Sequence, residues 1–425
     1  MRVALALLGL LIAVPAAGAQ TWSPPQPLSA DRDFFDNLDL AVSRDGTSLA
    51  TWRFTQGARS GVGGAPRAPG AAAFGPRRQL VAPSATGVTS GPVAYGRDGA
   101  LLAVAGERRV AVRSGRASGA FGKARVLRRL TRGRVADVSL AAGPRGDAVL
   151  AWYEDRGVRS DRVYVSLRRA GGRFGVPRRL ATGRVRSVAA AIGASGDVLV
   201  AWDARGLVRT RFKPRRRNGF RATDTIRSQD AFFAELHPVV TLNGRAVVAW
   251  SARFASEGGG REPVFFQAAV RPSGAQRFRR AQLLERMPDD AGLGRPVDAV
   301  ADPSGSVAVA WSGAAGADRR VKVGRVGPDG RVGSAQEVSP AGGDALLTDL
   351  AASAGGTLIA VWDGGPEGEQ DPVGAALAAA GQPFGPPEAV SPSGQRATAG
   401  VAGFAGEAPT IVFAGRSVQA TTRSG

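Results

Sequence analysis

The sequence predicts an all-β fold: an eight-bladed β-propeller of four-stranded antiparallel blades, closed by an N-terminal strand that completes the last blade. Three observations predict it. A Gly–Trp pair recurs about every 50 residues, each repeat resolves into four strand signals, and the two ends of the chain carry complementary partial repeats.

Six of the seven tryptophans, Trp52, Trp152, Trp202, Trp250, Trp311 and Trp362, each follow a glycine six positions earlier: Gly46, Gly146, Gly196, Gly244, Gly305 and Gly356. Between glycine and tryptophan lies a short β-favouring run such as DAVLAW or RAVVAW. Degenerate copies, Gly99 to Ala105 and Gly406 to Phe413, bring the number of repeats to eight. A large side chain at one fixed point per repeat fills the wedge between neighbouring sheets, so the series reads as core.

Strand a is alternating and rich in Ala and Gly, which suits the crowded centre of a ring. A tight turn such as SRDG or DPSG leads to strand b, which ends at the tryptophan. Strand c (DRVYVSLRR, RRVKVGRV) and a second turn (RAGG, GPDG) precede strand d, whose Pro and Arg suit an exposed outer edge. Residues 21–29 resemble a strand d with no strands before it, whereas residues 417–423 read as a strand c with no d after it. Pairing the two ends removes both exposed edges.

The pattern resembles secreted bacterial β-propellers of the sialidase-like and WD40-like kinds over essentially the whole chain after its leader. The resemblance implies architecture only. The Asp box S-x-D-x-G-x-T-W is not reproduced by Ser43-Arg44-Asp45-Gly46, and Trp202-Asp203 and Trp362-Asp363 lack the Gly-His that accompanies a WD dipeptide.

Ahead of the repeats, Met1-Arg2, an apolar run from Val3 to Val14 and Ala17-Gly18-Ala19 have the form of a signal peptide. The expected organisation is a leader over 1–19, cleaved near Ala19, and one propeller domain over 20–425, secreted or periplasmic and monomeric. No second apolar run is long enough for a membrane anchor. Cysteine is absent, which excludes thiol chemistry and disulfides. The sequence implies no cofactor and no metal, since its Asp-rich stretches read as turns.

The formal net charge is +21, and its placement matters more than its size. Residues 96–227, blades 2 to 4, carry 31 Lys and Arg against 10 Asp and Glu, while the remainder carries 25 of each. Such a field suits an anionic cell-envelope polymer. Nucleic acid is not expected, because the aromatics of a single-strand groove are sparse and the chain is exported.

The a–b and c–d turns share one face and are expected to leave little room there, so the b–c and d–a connections should form the binding face. Asp33-Phe34-Phe35-Asp36 enters blade 1 and Asp230-Ala231-Phe232-Phe233 enters blade 5, opposite each other in an eightfold ring. Either the Phe pairs clamp a protein or carbohydrate ligand, or they pack into the centre. The same face should carry Glu154, Asp155, Asp203, Asp289, Asp290 and Asp363. Paired carboxylates there would serve a glycosidase-like or lyase-like enzyme, and Tyr153-Glu154-Asp155 would serve a tyrosine nucleophile. The favoured reading is a non-catalytic binding scaffold. His237, the single histidine, is expected to be a hydrogen-bonded structural residue.

Overall fold

The computed structural model describes residues 21–423 apart from 31–33, 86–91, 98, 117, 158–159, 227–231, 254–262, 288–296, 317, 328, 365–372 and 393–396. Eight four-stranded antiparallel sheets form the blades. Their innermost strands are Phe34–Val42, Val93–Gly96, Arg134–Ala142, Val188–Ile192, Phe232–Val240, Val297–Ala301, Leu346–Ala352 and Thr398–Ala405. Each packs beside the next, and Thr398–Ala405 packs beside Phe34–Val42, so the ring is closed. The last blade takes its outer strand from the N-terminus, where Gln26 pairs with Ala420 and Pro27 with Gln419. The leader expected over 1–19 lies outside the described residues.

Strand b is buried on both sides because it stands between two neighbouring sheets, which is why it reads as an unbroken apolar run. Ala148 to Trp152 and Ala246 to Trp250 are all essentially inaccessible. Apolar side chains gather into eight cores, one between each pair of adjacent blades, and each of the six tryptophans faces the preceding blade. In blades 2 and 8 the expected copies are displaced. The a–b turn there spans two residues instead of five, and Val104 and Phe413 take the tryptophan's side while Ala105 faces forward.

A second ring of contacts lies at the outer edge, two residues before the buried aliphatic of each strand d. Gln26 grips the backbone of Phe74 in the next blade through both amide atoms, at 2.7 and 2.8 Å. Gln282 grips Val332, and Gln336 grips Phe384, in the same way. Asp224 accepts from the Phe278 amide at 2.7 Å, and Arg78 donates to Ser118 at 3.0 Å. Since Gln26 belongs to the N-terminal strand, ring closure uses the same latch as the junctions held by Gln282 and Gln336.

The connections differ from expectation. Blades 1, 2, 4 and 6 join b to c across two residues, and in blade 4 Arg205 and Gly206 both have positive φ, as a type I′ turn requires. The c–d connections, in contrast, run to nine or ten residues, as over 68–77 and 169–177. Strand d pairs over only a few residues, so the segment ahead of it runs extended without a ladder and sinks one aromatic, Phe74, Phe174 or Phe384, into the core.

Candidate functional site

The face formed by the b–c and d–a connections collects the residues singled out in the sequence, on five different blades. Phe34, Phe35 and Asp36, and likewise Phe232 and Phe233, are the first residues of innermost strands rather than of loops. Phe35 packs against the core between blades 8 and 1. Asp36 takes Arg53 in a two-pronged ion pair, Nε to Oδ1 at 2.5 Å. The side chains of Phe34, Phe232 and Phe233, and all of Asp289 and Asp290, lie outside the described residues.

In blade 3, alternation along the strand sends Tyr153 and Glu154 to opposite faces. Glu154 is fully buried and held between Arg128 Nε and Arg156 Nε, each at 2.8 Å. Asp155 pairs with Arg134 at 3.1 Å. Burial, followed by the charges of Asp137, Asp155 and Asp161, pushes the Tyr153 hydroxyl up to about 12. That is the opposite of what an activated phenolate needs. Asp203 is fully buried and accepts from the Gly206 amide at 3.2 Å, tying down its hairpin. Asp363 ends strand b of blade 7.

A second cluster was not apparent from the sequence. The innermost strand of a blade is a sheet edge, and its N–H groups need acceptors. One acid on the innermost strand of blades 1, 3, 5, 6 and 7 supplies them. Asp39 accepts from Val93, Asp137 from Val188, Glu235 from Val297, Asp298 from Leu350 and Asp349 from Ala402, at 2.6–3.3 Å. Each bond crosses to the following blade. One acid per strand a, in LDLAV, VADVSL and LTDLAAS, was the available signal.

His237 sits inside this chain. Its Nδ1 lies 2.8 Å from Asp298 Oδ1, and its Nε2 lies 3.9 Å from Glu235. Burial pulls the imidazole pKa down, but the charges of Asp298, Glu235 and Asp349 outweigh it and raise the value to about 9. His237 in turn holds Asp298 below the usual carboxylate range despite burial. Burial, and then the Asp298 charge, drive Asp349 well above that range. At neutral pH the imidazole is charged, and its pairing with Asp298, which also accepts the Leu350 amide, locks blades 5, 6 and 7 together. Among the described residues, no group of three or more His, Asp or Glu is placed to hold a metal ion.

The opposite face was expected to offer little room, yet it carries a cleft of about 600 Å³ between blades 3 and 4. The long c–d connections form its walls. Val165, Leu167, Ile192 and Val198 line its floor, and Arg169, Arg178, Lys213 and Arg215 its rim. A neighbouring cleft of about 700 Å³ between blades 4 and 5 includes Arg277, Arg279 and Arg280.

These features define a closed eight-bladed propeller in which, among the described residues, Asp36, Glu154, Asp155 and Asp203 are held by arginines or by backbone. No protein-family model matches the chain, and no curated protein matches it in sequence. Among solved structures, the Dos1 propeller is 11% identical over 94% of this chain and 95% of that one, with a TM-score of 0.51. A protein of unknown function from Dyadobacter fermentans is 9% identical over 96% and 99%, with a TM-score of 0.44. A PL25 ulvan lyase is 11% identical over 78% and 93%, with a TM-score of 0.46. At such identities the likeness is one of fold.

Proposed function

We propose that this protein is a non-catalytic binding scaffold. It is exported after removal of residues 1–19 and holds a protein or carbohydrate partner on the face of the b–c and d–a connections, with the Phe pairs of blades 1 and 5 as contact residues. The observation that carries this reading is the state of the acids on that face. Glu154 is clamped by two arginines, Asp203 is buried against its own hairpin, and Asp36 and Asp155 are each paired with arginine. Acid–base catalysis needs a carboxyl group that can reach substrate and exchange a proton. Blades 2 to 4 form a secondary, basic surface for an anionic envelope polymer.

A glycan-array and chromogenic-glycoside screen of the purified protein tests the reading. Retention on a defined glycan class without turnover is expected. Release of chromophore, or an unsaturated uronide appearing in the ultraviolet, would replace the scaffold by an enzyme.

A further inference from the structure

We infer that the cleft between blades 3 and 4, on the face of the a–b and c–d connections, binds an acidic sugar unit of a polysaccharide bearing carboxylate or sulfate groups. The inference rests on the reading of blades 2 to 4 as a basic, polymer-binding surface, and it assigns that role to one cavity.

The first argument is unspent charge. Some arginines of the ring are committed: Arg279 at the next cleft donates to the Asp329 carbonyl, and Arg128 and Arg156 hold Glu154. At this cleft, among the described residues, Arg169, Lys213 and Arg215 make no side-chain hydrogen bond or ion pair. Arg178 reaches only the Asn218 carbonyl, at 3.5 Å. The two nearby carboxylates serve the turns. Asp147 accepts from the Ala170 amide at 3.0 Å; Asp197 accepts from the Arg215 amide at 2.7 Å and from Ser195 Oγ at 3.0 Å. Burial, and then the neighbouring Arg169, lower the pKa of Lys213; Asp147 and Asp197 oppose the shift in part, and Arg178 adds to it. An anion entering the cleft would relieve that repulsion.

The second argument is shape and lining. A cleft of about 600 Å³ admits a sugar ring or two, and its aliphatic floor suits the C–H face of a pyranose while the rim meets its charge. Val176, 85% exposed at the edge, extends the apolar surface outward. Among the described residues no aromatic side chain lines the cleft, so these residues offer no stacking platform of the kind on which single-stranded nucleic acid depends. The adjoining cleft, one blade further on and also arginine-rich, gives a chain-like ligand a second foothold that a small anion would not use.

The test compares the purified protein with two triple variants at about 0.15 M salt, where weak non-specific attraction is screened. One variant carries Arg169→Gln, Arg178→Gln and Lys213→Gln. The control carries Arg44→Gln, Arg59→Gln and Arg416→Gln, three exposed cations on blades 1 and 8. Binding is measured to polygalacturonate, heparin, neutral dextran and a single-stranded oligonucleotide, with circular dichroism confirming that both variants fold.

The cleft variant should lose on the order of tenfold in affinity for polygalacturonate or heparin, and the control should lose little. The two polymers separate a carboxylate site from a sulfate site. Equal loss in both variants would overturn the cleft while leaving adhesion by net charge intact. Failure of the parent protein to bind either acidic polymer would remove both. Preference for the oligonucleotide would overturn the ligand class.

Discussion

A lone histidine in a sequence invites a catalytic reading, and the surroundings of His237 decide against it. Its Nδ1 is committed to Asp298, and Asp298 also accepts the Leu350 amide, so the imidazolium acts as the positive centre of an inter-blade brace. A folded-state pKa of about 9 against an ordinary 6.5 means that the folded protein holds this proton more tightly than the unfolded chain. The stabilisation is complete below about pH 6.5 and is lost as pH rises through about 9. Burial raises Asp39 to about 6 from 3.8, so its contribution has the same sign in a lower window and falls away between about pH 4 and 6. Because His237 is unique, its ring protons give a single set of NMR resonances. Their titration midpoint should fall near 9, and Asp298→Asn should bring it to 6.5 or below. A midpoint near 6.5 in the unaltered protein would mean that the brace does not form. Thermal stability should decline from pH 6.5 to 9, and less so in a His237→Gln variant.

Within a blade, the tryptophan that marks the repeat depends on a partner which the spacing does not reveal. Trp52 lies opposite Gly63 and Trp362 opposite Gly374, and a Cβ added to either glycine would sit 2.5–2.7 Å from the indole ring. The glycines are therefore sites for the ring, not turn residues. Gly374→Ala should cost about 1–3 kcal/mol in denaturant unfolding, as overpacking does. Gly219→Ala, where nothing lies within 4 Å of the added carbon, should be near neutral. Equal stability of the two variants would refute the packing account. The glycines were hidden for a physical reason: which strand-c residue meets the tryptophan depends on the length of the b–c connection, which varies from blade to blade. The tryptophan series and the a–b turns were legible because a fixed glycine-to-tryptophan distance encodes them locally. The c–d connections were misjudged because the residues leading into strand d have strand-like composition but little ladder to join. The acids of the face were visible as residues, whereas one of the two arginines that neutralise Glu154, Arg128, belongs to the preceding blade.

The closed ring follows from the partial repeats at the two ends, and what the sequence left unread was how closure is held. The ladder itself is short, Gln26 and Pro27 against Ala420 and Gln419. Backbone bonds continue on both sides of it, from the Ser23 amide to the Thr422 carbonyl at 2.9 Å and from the Leu28 amide to the Val418 carbonyl at 2.6 Å, and Trp22 bridges Arg423. The seal is reinforced by side chains. Gln26 grips Phe74, Leu28 is buried in the core between blades 8 and 1, Ser29 Oγ accepts from the Val418 amide at 2.8 Å, and Trp22 Nε1 donates to Glu388 at 2.8 Å. Together these tie the N-terminal segment to blades 1, 7 and 8, so it should behave as part of the cooperative unit and not as a tail. The same position serves as the latch in other blades with Arg78, Asp224, Gln282 and Gln336, and its chemical variety is what concealed it. Leu28→Ala should lower unfolding stability by about 2–5 kcal/mol, the cost of a cavity at a buried leucine. Gln26→Ala should cost less, about 1–3 kcal/mol for the unpaired backbone groups of Phe74. Removing residues 21–29 should expose the edge of strand Val418–Thr422 and cause concentration-dependent aggregation, measurable by light scattering. A truncated protein that does not aggregate and keeps an unchanged melting midpoint would mean that the other seven junctions alone hold the ring, and that the N-terminal strand decorates a circle already closed.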